Sequence, residues 1–442
     1  MLIMKKAAVL FFLLIFSMTS TAQPGFRFES AGRRKVTIPF KFINNLIVLS
    51  VNVNGADLNF LLDTGVDETI LFSIDDQDQV KLNNIQRILL KGLGGNEPVE
   101  GLKSSHNKLS FPGYSDSDHD IYIVLDQDFN FSASIGIPVN GIIGYGFFKN
   151  NLIEINYDRK KIIVYNENEK ARKKVASQFV PHDISIVDGK PYLIAELTAD
   201  QRQIPARLLV DTGNTDAVWL FQDKSGSFKI PDQVFDDFLG RGLSGDIVGK
   251  RGRIENFAID SFGFQQPLVA FPDVNATKNI VMAEGRVGSV GGEILKRFTV
   301  VFDYKNGKIF LRKGREYSQP FNYNMSGLEV HHEGMTWVKE RIDFSATKKY
   351  AIYQAGEPTS FAYKFELKPL FSVSNVRKDS PAALCGIEKG DLLVSLNRTP
   401  CDRMTLQEIN SILKSEEGKT IDVEVERHGI KMKFSFRLKS II

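Results

Sequence analysis

The tripeptide Asp-Thr-Gly occurs twice in this chain, and each copy directly follows a short apolar run. Asp63-Thr64-Gly65 comes after residues 60–62, and Asp211-Thr212-Gly213 comes after residues 208–210. A short apolar run bounded by turn residues is typical of a buried β-strand, so the sequence predicts an acid at the end of each of two strands. Two carboxyl groups presented in this way are what a pair of acids sharing one proton requires.

The two acids have the same landmarks around them, in the same order and at nearly the same spacing. A strand–turn–strand unit precedes each acid, and in the first copy its turn is Asn54-Gly55, a strong hairpin signal. A glycine-rich segment, a glycine–apolar–glycine element, a short helix and a closing hairpin follow each acid. The glycine-rich segments are Gly92-Leu93-Gly94-Gly95 and Gly242-Leu243-Ser244-Gly245, and the later elements are Gly141-Ile142-Ile143-Gly144 and Gly288-Ser289-Val290-Gly291.

This repetition predicts two copies of one β-rich domain, joined by a linker over the charged residues 166–174. The alternative is that two tandem β-domains both happen to use Asp-Thr-Gly as a turn, since Asp and Gly are common turn residues. The later glycine-containing landmarks count against that alternative, because chance use of the same turn would not explain why they recur at the same spacing.

The first 22 residues have the order of a secretory signal peptide. Lys5 and Lys6 precede an apolar stretch over residues 7–16, and small and polar residues lead to Ala22, where cleavage is expected. The apolar stretch is short for a membrane-spanning helix, and an uncleaved anchor is the alternative. No other stretch is apolar and long enough to cross a membrane. We therefore expect an exported protein, periplasmic or secreted.

The 442-residue chain has a formal net charge of +3 and 43% hydrophobic residues. This balance is ordinary for a globular protein of about three domains and gives no reason to expect a nucleic-acid partner. The histidines show no spacing typical of a zinc site, so neither a metal nor another cofactor is expected. Cys385 and Cys401 either form one disulfide or remain two buried thiols.

The repeat resembles pepsin-like and retropepsin-like aspartic proteases, in which two similar lobes each supply one Asp-Thr-Gly. The resemblance covers about residues 36–315 and is especially close over residues 211–220. It implies a mainly β, two-lobed fold built from tandem β-barrel domains. It also implies that Asp63 and Asp211 are the catalytic acids, that Thr64 and Thr212 brace the two loops, and that residues 142–144 and 289–291 lie behind those loops.

The expected chemistry follows from the paired acids themselves. Two carboxyl groups about 3 Å apart cannot both ionise cheaply, so one proton is shared. The ionised acid can then take a proton from water while the protonated acid donates to the scissile carbonyl oxygen. Gly65 and Gly213 allow the sharp turn and the close approach of the loops. Val66 and Asn214 follow them, where a small residue is usual in the family.

The glycine-rich segments are the candidate substrate-binding elements. Gly92, Leu93, Gly94 and Gly95 are expected to form a mobile flap over the substrate, with Gly242 and Leu243 at the matching place in the second lobe. The alternative is a loose hairpin tip that does not contact ligand.

Residues 380–397 resemble the PDZ domain of exported bacterial proteases. Ser380-Pro381-Ala382 is expected to open a short helix that Gly386 ends, and residues 405–414 form an amphipathic helix. Such domains bind an extended chain or a C-terminal tail by strand addition beside that helix. Residues 365–371 are expected to stand in the place of the carboxylate-binding loop. The alternative is a PDZ fold that only packs on the protease.

Together these features predict a signal peptide over residues 1–22, lobes over residues 23–170 and 175–318, and a PDZ domain over residues 325–442. The expected function is a monomeric, exported aspartic endopeptidase acting on polypeptide substrates. The alternative from a different class is a non-catalytic peptide-binding protein that retains the protease fold.

Overall fold

The first lobe is mainly β. The computed structural model describes residues 25–72, 80–90, 99–124, 131–166, 168–199, 201–222, 229–242, 245–277, 282–343 and 361–442. The strands of the first lobe are β1 (Arg27–Phe28), β2 (Lys35–Pro39), β3 (Lys41–Ile43), β4 (Leu46–Val53), β5 (Ala56–Leu62), β6 (Ile70–Leu71), β7 (Gln86–Leu90), β8 (Val99–Phe111), β9 (Tyr114–Val124), β10 (Gly141–Ile143), β11 (Leu152–Asn156) and β12 (Lys161–Tyr165). Two short helices, α1 (Phe131–Ile135) and α2 (Tyr145–Phe148), lie between strands.

The main sheet of the first lobe has the order β1-β9-β6-β10-β5-β4-β8-β7, with β3 beside β4. Strands β4 and β5 form the predicted hairpin, and both turn residues, Asn54 and Gly55, have positive φ angles, as a tight two-residue hairpin turn requires. Strand β10 pairs in parallel with β5, so it lies directly beside the strand that leads to the first acid.

The second lobe follows the same plan. Its helices are α3 (Glu169–Ala176), α4 (Val274–Thr277) and α5 (Gly292–Leu295). Its strands are β13 (Val180–Asp183), β14 (Ser185–Val187), β15 (Lys190–Ala199), β16 (Arg202–Val210), β17 (Val218–Leu220), β18 (Val234–Gly242), β19 (Gly245–Arg253), β20 (Asn256–Ile259), β21 (Phe262–Gln265), β22 (Leu268–Pro272), β23 (Arg286–Val290), β24 (Phe298–Asp303) and β25 (Lys308–Lys313).

The main sheet of the second lobe runs β18-β19-β22-β17-β23-β16-β15-β20-β21, with β14 beside β15. Strand β23 pairs in parallel with β16, just as β10 pairs with β5. A separate sheet, in the order β13-β25-β24-β11-β12-β2, contains strands of both lobes and joins them through the antiparallel pair β11–β24. The predicted mainly β, two-lobed architecture is confirmed.

The predicted linker between the lobes contains a helix. Residues 166–174 include the first part of α3, which begins at Glu169. Asn168 caps this helix, because its side chain accepts a hydrogen bond from the N–H of Ala171 at 2.9 Å. The Lys, Arg, Glu and Ala residues of this helix are good helix formers.

The C-terminal domain is a further sheet with two helices. Its strands are β26 (Leu328–Asp343), β27 (Phe361–Val376), β28 (Leu392–Leu396), β29 (Thr399–Pro400), β30 (Thr420–Arg427) and β31 (Ile430–Arg437), in the order β26-β27-β28-β30-β31, with β29 beside β28. The helices are α6 (Pro381–Cys385) and α7 (Leu406–Leu413).

The predicted helix ends of this domain are confirmed. Ser380 caps α6 through a 3.2 Å hydrogen bond from the N–H of Ala383, and Gly386 ends it with a positive φ. Thr405 and Glu408 form a capping box at the start of α7.

The structure also tests the predictions for residues 365–371 and for the two cysteines of this domain. Residues 365–371 do not form a ligand-binding loop, because they lie in β27, inside the sheet between β26 and β28. That prediction is wrong. Of the two alternatives for the cysteines, the structure has two free thiols, at Cys385 and Cys401.

Candidate active site

The two Asp-Thr-Gly loops meet where the lobes face each other. Each loop is held from behind by the strand that runs parallel to its own: the N–H of Asp63 donates to the carbonyl oxygen of Ile143 at 3.0 Å, and the N–H of Asp211 donates to that of Val290 at 2.9 Å. Ile143 and Val290 belong to the glycine–apolar–glycine elements that the sequence placed behind the loops.

The two threonines tie the loops together. The hydroxyl of Thr64 donates to the carbonyl oxygen of Val210 at 2.6 Å, and that of Thr212 donates to Leu62 at 2.8 Å. Each hydroxyl also accepts the other threonine's N–H at 3.0 Å. Both side chains are almost fully buried. Because every bond crosses from one lobe to the other, this network fixes the relative position of the acids.

The carboxyl groups of Asp63 and Asp211 lie side by side, and the charge of Asp211 acts on Asp63. The glycines that follow them make this contact possible. A Cβ atom at Gly213 would collide with the carboxyl group of Asp63, and one at Gly65 would lie 3.1 Å from Oδ1 of Asp211. Each glycine N–H also donates to Oδ1 of its own loop's acid, at 2.7 Å for Asp63 and 3.0 Å for Asp211.

The surroundings of the two acids raise both pKa values. Desolvation by the surrounding protein and the charge of Asp211 raise the pKa of Asp63 to about 8. Desolvation also raises the pKa of Asp211, but there the positive charge of Arg286 acts in the opposite direction. The pair therefore retains a shared proton at neutral pH, and the two acids titrate as a coupled unit.

Two cations near the pair were not predicted from the sequence. Arg286 lies at the start of β23, where its Nε donates to the carbonyl oxygen of Gly288 at 3.0 Å. Lys190, from the second lobe, places its Nζ 3.2 Å from Oδ1 of Asp67 in the first lobe, and its charge acts on Asp63. No motif marks either residue, because their approach to the acids depends on how the strands and lobes assemble.

Asn214, one of the two unusual residues after the loops, has a specific polar partner. Its Nδ2 donates to the hydroxyl of Ser289 at 3.0 Å, and its Oδ1 accepts the N–H of Asp216 at 2.9 Å. Ser289 is the polar residue in the element behind the second loop. Asn214 stands where a small residue is usual, and Ser289 stands where an apolar residue is usual. Each therefore provides a hydrogen-bond partner for the other.

Val66, the other unusual residue, packs among apolar side chains. It lies against the cluster that contains Leu61, Ile135 and Ile142. Its carbonyl oxygen accepts the N–H of Tyr145 at 3.0 Å, which ties the end of the first loop to helix α2. The two halves of the site are thus built from different contacts.

Asp216 connects the second loop to the β18–β19 hairpin. It accepts hydrogen bonds from Nε1 of Trp219 at 2.7 Å and from Arg251 at 2.6 Å. Arg251, on β19, also donates to Asp237 on β18 at 2.6 Å. This hairpin is the one that carries the second glycine-rich segment.

Most residues of the two glycine-rich segments, 92–95 and 242–245, lie outside the described part of the chain. Gly92, Leu93, Gly94 and Gly95 lie outside the described residues, between the paired strands β7 and β8. Gly242 is the last residue of β18 and pairs with Gly245, whereas Leu243 lies outside the described residues. The role of both segments in binding stays a prediction.

In the described part of the chain, no group of three or more His, Cys, Asp or Glu side chains could hold a metal ion. No described helix is long and apolar enough to cross a membrane.

Comparisons with known proteins identify two parts of the chain. Residues 49–147 match the aspartyl protease family model, and residues 372–427 match the model of a PDZ domain. Asp63 lies within the first match and Asp211 lies outside it. Among solved structures, an aspartic proteinase from Irpex lacteus is similar, with 12% sequence identity and a TM-score of 0.42, over 64% of this chain and 99% of that one. The sequence matches no curated protein.

Proposed function

We propose that this chain is an exported aspartic endopeptidase, in which Asp63 and Asp211 together activate water to hydrolyse peptide bonds of polypeptide substrates. The observation that carries the proposal is the adjacent pair of carboxyl groups between two cross-braced loops. The aspartyl protease match over residues 49–147 supports a protease. One chain supplies both acids, so a monomer is sufficient.

The unequal surroundings of the acids assign their roles in the proposed reaction. Water attacks the scissile carbonyl carbon as ionised Asp211 takes a proton from it and Asp63 gives its proton to the carbonyl oxygen. When the tetrahedral intermediate collapses, the C–N bond breaks, Asp211 protonates the leaving amine and Asp63 takes the proton back. Positioned proton transfer of this kind contributes roughly 10²–10⁴-fold to the rate.

Replacement of each acid tests the proposal. We expect Asp63→Asn and Asp211→Asn each to slow the cleavage of unfolded casein by at least about 10³-fold, because each removes one proton-transfer group. Asp57→Asn is the matched control, since Asp57 is an exposed acid on β5, the strand that leads to Asp63. Cleavage at the parent rate by either active-site variant would contradict the shared pair. A parent protein that is inert from acid to neutral pH would favour the peptide-binding alternative.

The export part of the proposal rests on residues 1–22, outside the described part of the chain. Phe26, a few residues after the expected cleavage site, is fully buried against the rings of Phe111 and Tyr114. Cleavage after Ala22 would leave this aromatic anchor intact. We expect the intact mass of the protein recovered outside the cytoplasm to match a chain that begins at Gln23, whereas the mass of the uncut chain would contradict a cleaved signal.

A further inference from the structure

The peptide-binding edge of the PDZ domain is formed by β26 and α7. Strand β26 is at the end of its sheet, so one side of its backbone has no strand partner among the described residues. Helix α7 lies against this strand. An unpaired strand edge beside a helix is where such domains add an extended peptide as a further strand. We call this site the β26–α7 groove.

Helix α1 of the first lobe lies against this groove. It contacts β26, and Gly136, the residue after it, lies against Leu406 at the start of α7. A Cβ atom at Gly136 would be 2.9 Å from the Cβ of Leu406, and its φ of +82° also favours glycine. Nearby, Nδ2 of Asn410 on α7 donates to Oδ1 of Asn44 in the first lobe at 3.4 Å.

The backbone donors at the start of β26 are also occupied by the chain itself. The N–H groups of Ser326 and Gly327 donate to Oδ1 of Asn324 at 3.1 and 3.3 Å. The N–H of Leu328 donates to the hydroxyl of Ser326 at 3.1 Å. A peptide carboxylate received by backbone N–H groups would need donors of this kind. The Asn324 carboxamide oxygen therefore stands where such a carboxylate would be bound.

We propose that α1 is the resident occupant of the β26–α7 groove, so that docking of the first lobe and binding of a peptide tail to the PDZ domain exclude each other. The groove holds the protease lobe in the resting chain and becomes available to an extended, C-terminal peptide only when α1 leaves. A helix laid over an exposed strand edge is also a known means of preventing unwanted strand pairing.

The same helix leads directly to the catalytic loop. Ile135 of α1 is buried in the cluster that contains Ile142 of β10 and Leu61 of β5. The carbonyl oxygen of Ile143, also in β10, holds the N–H of Asp63. A peptide tail that displaces α1 would therefore disturb the packing of β10, the strand behind Asp63. Binding at the PDZ domain would in this way affect the pair of acids.

Two variants test the proposal from the two sides of the contact. Gly136→Arg places a side chain against Leu406, and Asn410→Arg places one against Asn44 without the positive φ of Gly136. Thr420→Arg is the control, at an exposed position of the same domain. The full-length proteins are compared by hydrogen exchange of residues 131–137, 328–338 and 420–437, and by binding of a fluorescent pool of random heptapeptides with free C-termini.

In either Arg variant at the groove we expect residues 131–137 and 328–338 to exchange together at least about tenfold faster, while residues 420–437 and the control stay unchanged. Because the protease cleft can itself bind peptides, the readout is the excess binding of the pool with free C-termini over the same pool with amidated C-termini. We expect this excess in the groove variants and not in the parent or the control. If Gly136→Arg fails to fold, Asn410→Arg carries the test. Unchanged exchange of residues 328–338 in a folded variant, or an equal excess in the parent, would overturn the proposal.

Discussion

At the scale of single residues, the two acids have the same chemical group and unequal surroundings. Asp211 is close enough to Arg286 for that charge to oppose its desolvation, whereas Asp63 is raised further by the charge of Asp211. The inequality matters because a pair that shares one proton needs one member to hold it and the other to accept a second. In the proposed mechanism, neighbours that have no motif of their own distinguish the acid from the base.

This arrangement has a cost in stability that depends on pH. The pKa of Asp63 rises from 3.8 to about 8 on folding, so between these pH values the folded chain binds more protons than the unfolded chain. Stability therefore falls as pH rises through this window, and below it the contribution disappears. We expect Asp63→Asn to raise the free energy of unfolding by more than about 1 kcal/mol at pH 7 and by nothing measurable at pH 3.

Urea unfolding of the parent and of Asp63→Asn at several pH values measures this effect. Asp57→Asn serves again as the control, because an exposed carboxyl on β5 should show no such gain. A gain for Asp63→Asn that is the same at pH 3 and pH 7 would mean that the substitution acts by packing and not by removing a desolvated charge.

The sequence located the residues of the site whose role is local. Asp63, Asp211 and the two threonines were found because each belongs to a tripeptide that must follow a strand, and the structure brings all four together. Arg286 was not found, because its position is set by the parallel pairing of β23 with β16, two strands far apart in the chain. Single-residue patterns do not report such pairings.

At the scale of elements, the repeat predicted the arrangement of each lobe well. Strands β5 and β10 in one lobe, and β16 and β23 in the other, have the same parallel relation behind their loops. The prediction that residues 365–371 replace the carboxylate-binding loop was wrong because it depended on a local resemblance alone. In the structure this stretch pairs with β26 along its whole length, a contact that a local pattern cannot show.

At the scale of the whole molecule, a line of charged contacts runs from the second catalytic loop to the PDZ domain. Asp216, beside the loop, binds Arg251, and Arg251 binds Asp237 on the neighbouring strand. Arg377, directly after β27, approaches Asp237 at 3.6 Å and stacks its guanidinium over Phe235 at 4.4 Å. A single cluster of buried apolar side chains also runs through both lobes and this domain. The three parts are therefore expected to unfold as one unit.

Arg377 shows whether charge or packing holds the PDZ domain to the second lobe. The side chain is 7% exposed, and its Nε and Nη2 have no hydrogen-bond partner among the described residues. Since the ion pair is long and the guanidinium is only partly satisfied, the contact with Phe235 should dominate. We expect Arg377→Met to change stability by less than about 1 kcal/mol and Arg377→Ala to cost about 2–3 kcal/mol.

Scanning calorimetry distinguishes the two cases, because a weakened contact lets the PDZ domain unfold on its own. We expect one transition for the parent and for Arg377→Met, and a separate earlier transition for Arg377→Ala. If Arg377→Met behaves like Arg377→Ala, the charge on Asp237 needs its second partner, and electrostatics couples the domains. The methionine keeps an unbranched side chain over the ring of Phe235 and removes the charge together with the 3.1 Å hydrogen bond from Nη1 to the carbonyl oxygen of Asn324. The comparison therefore separates packing from polar contacts at one position.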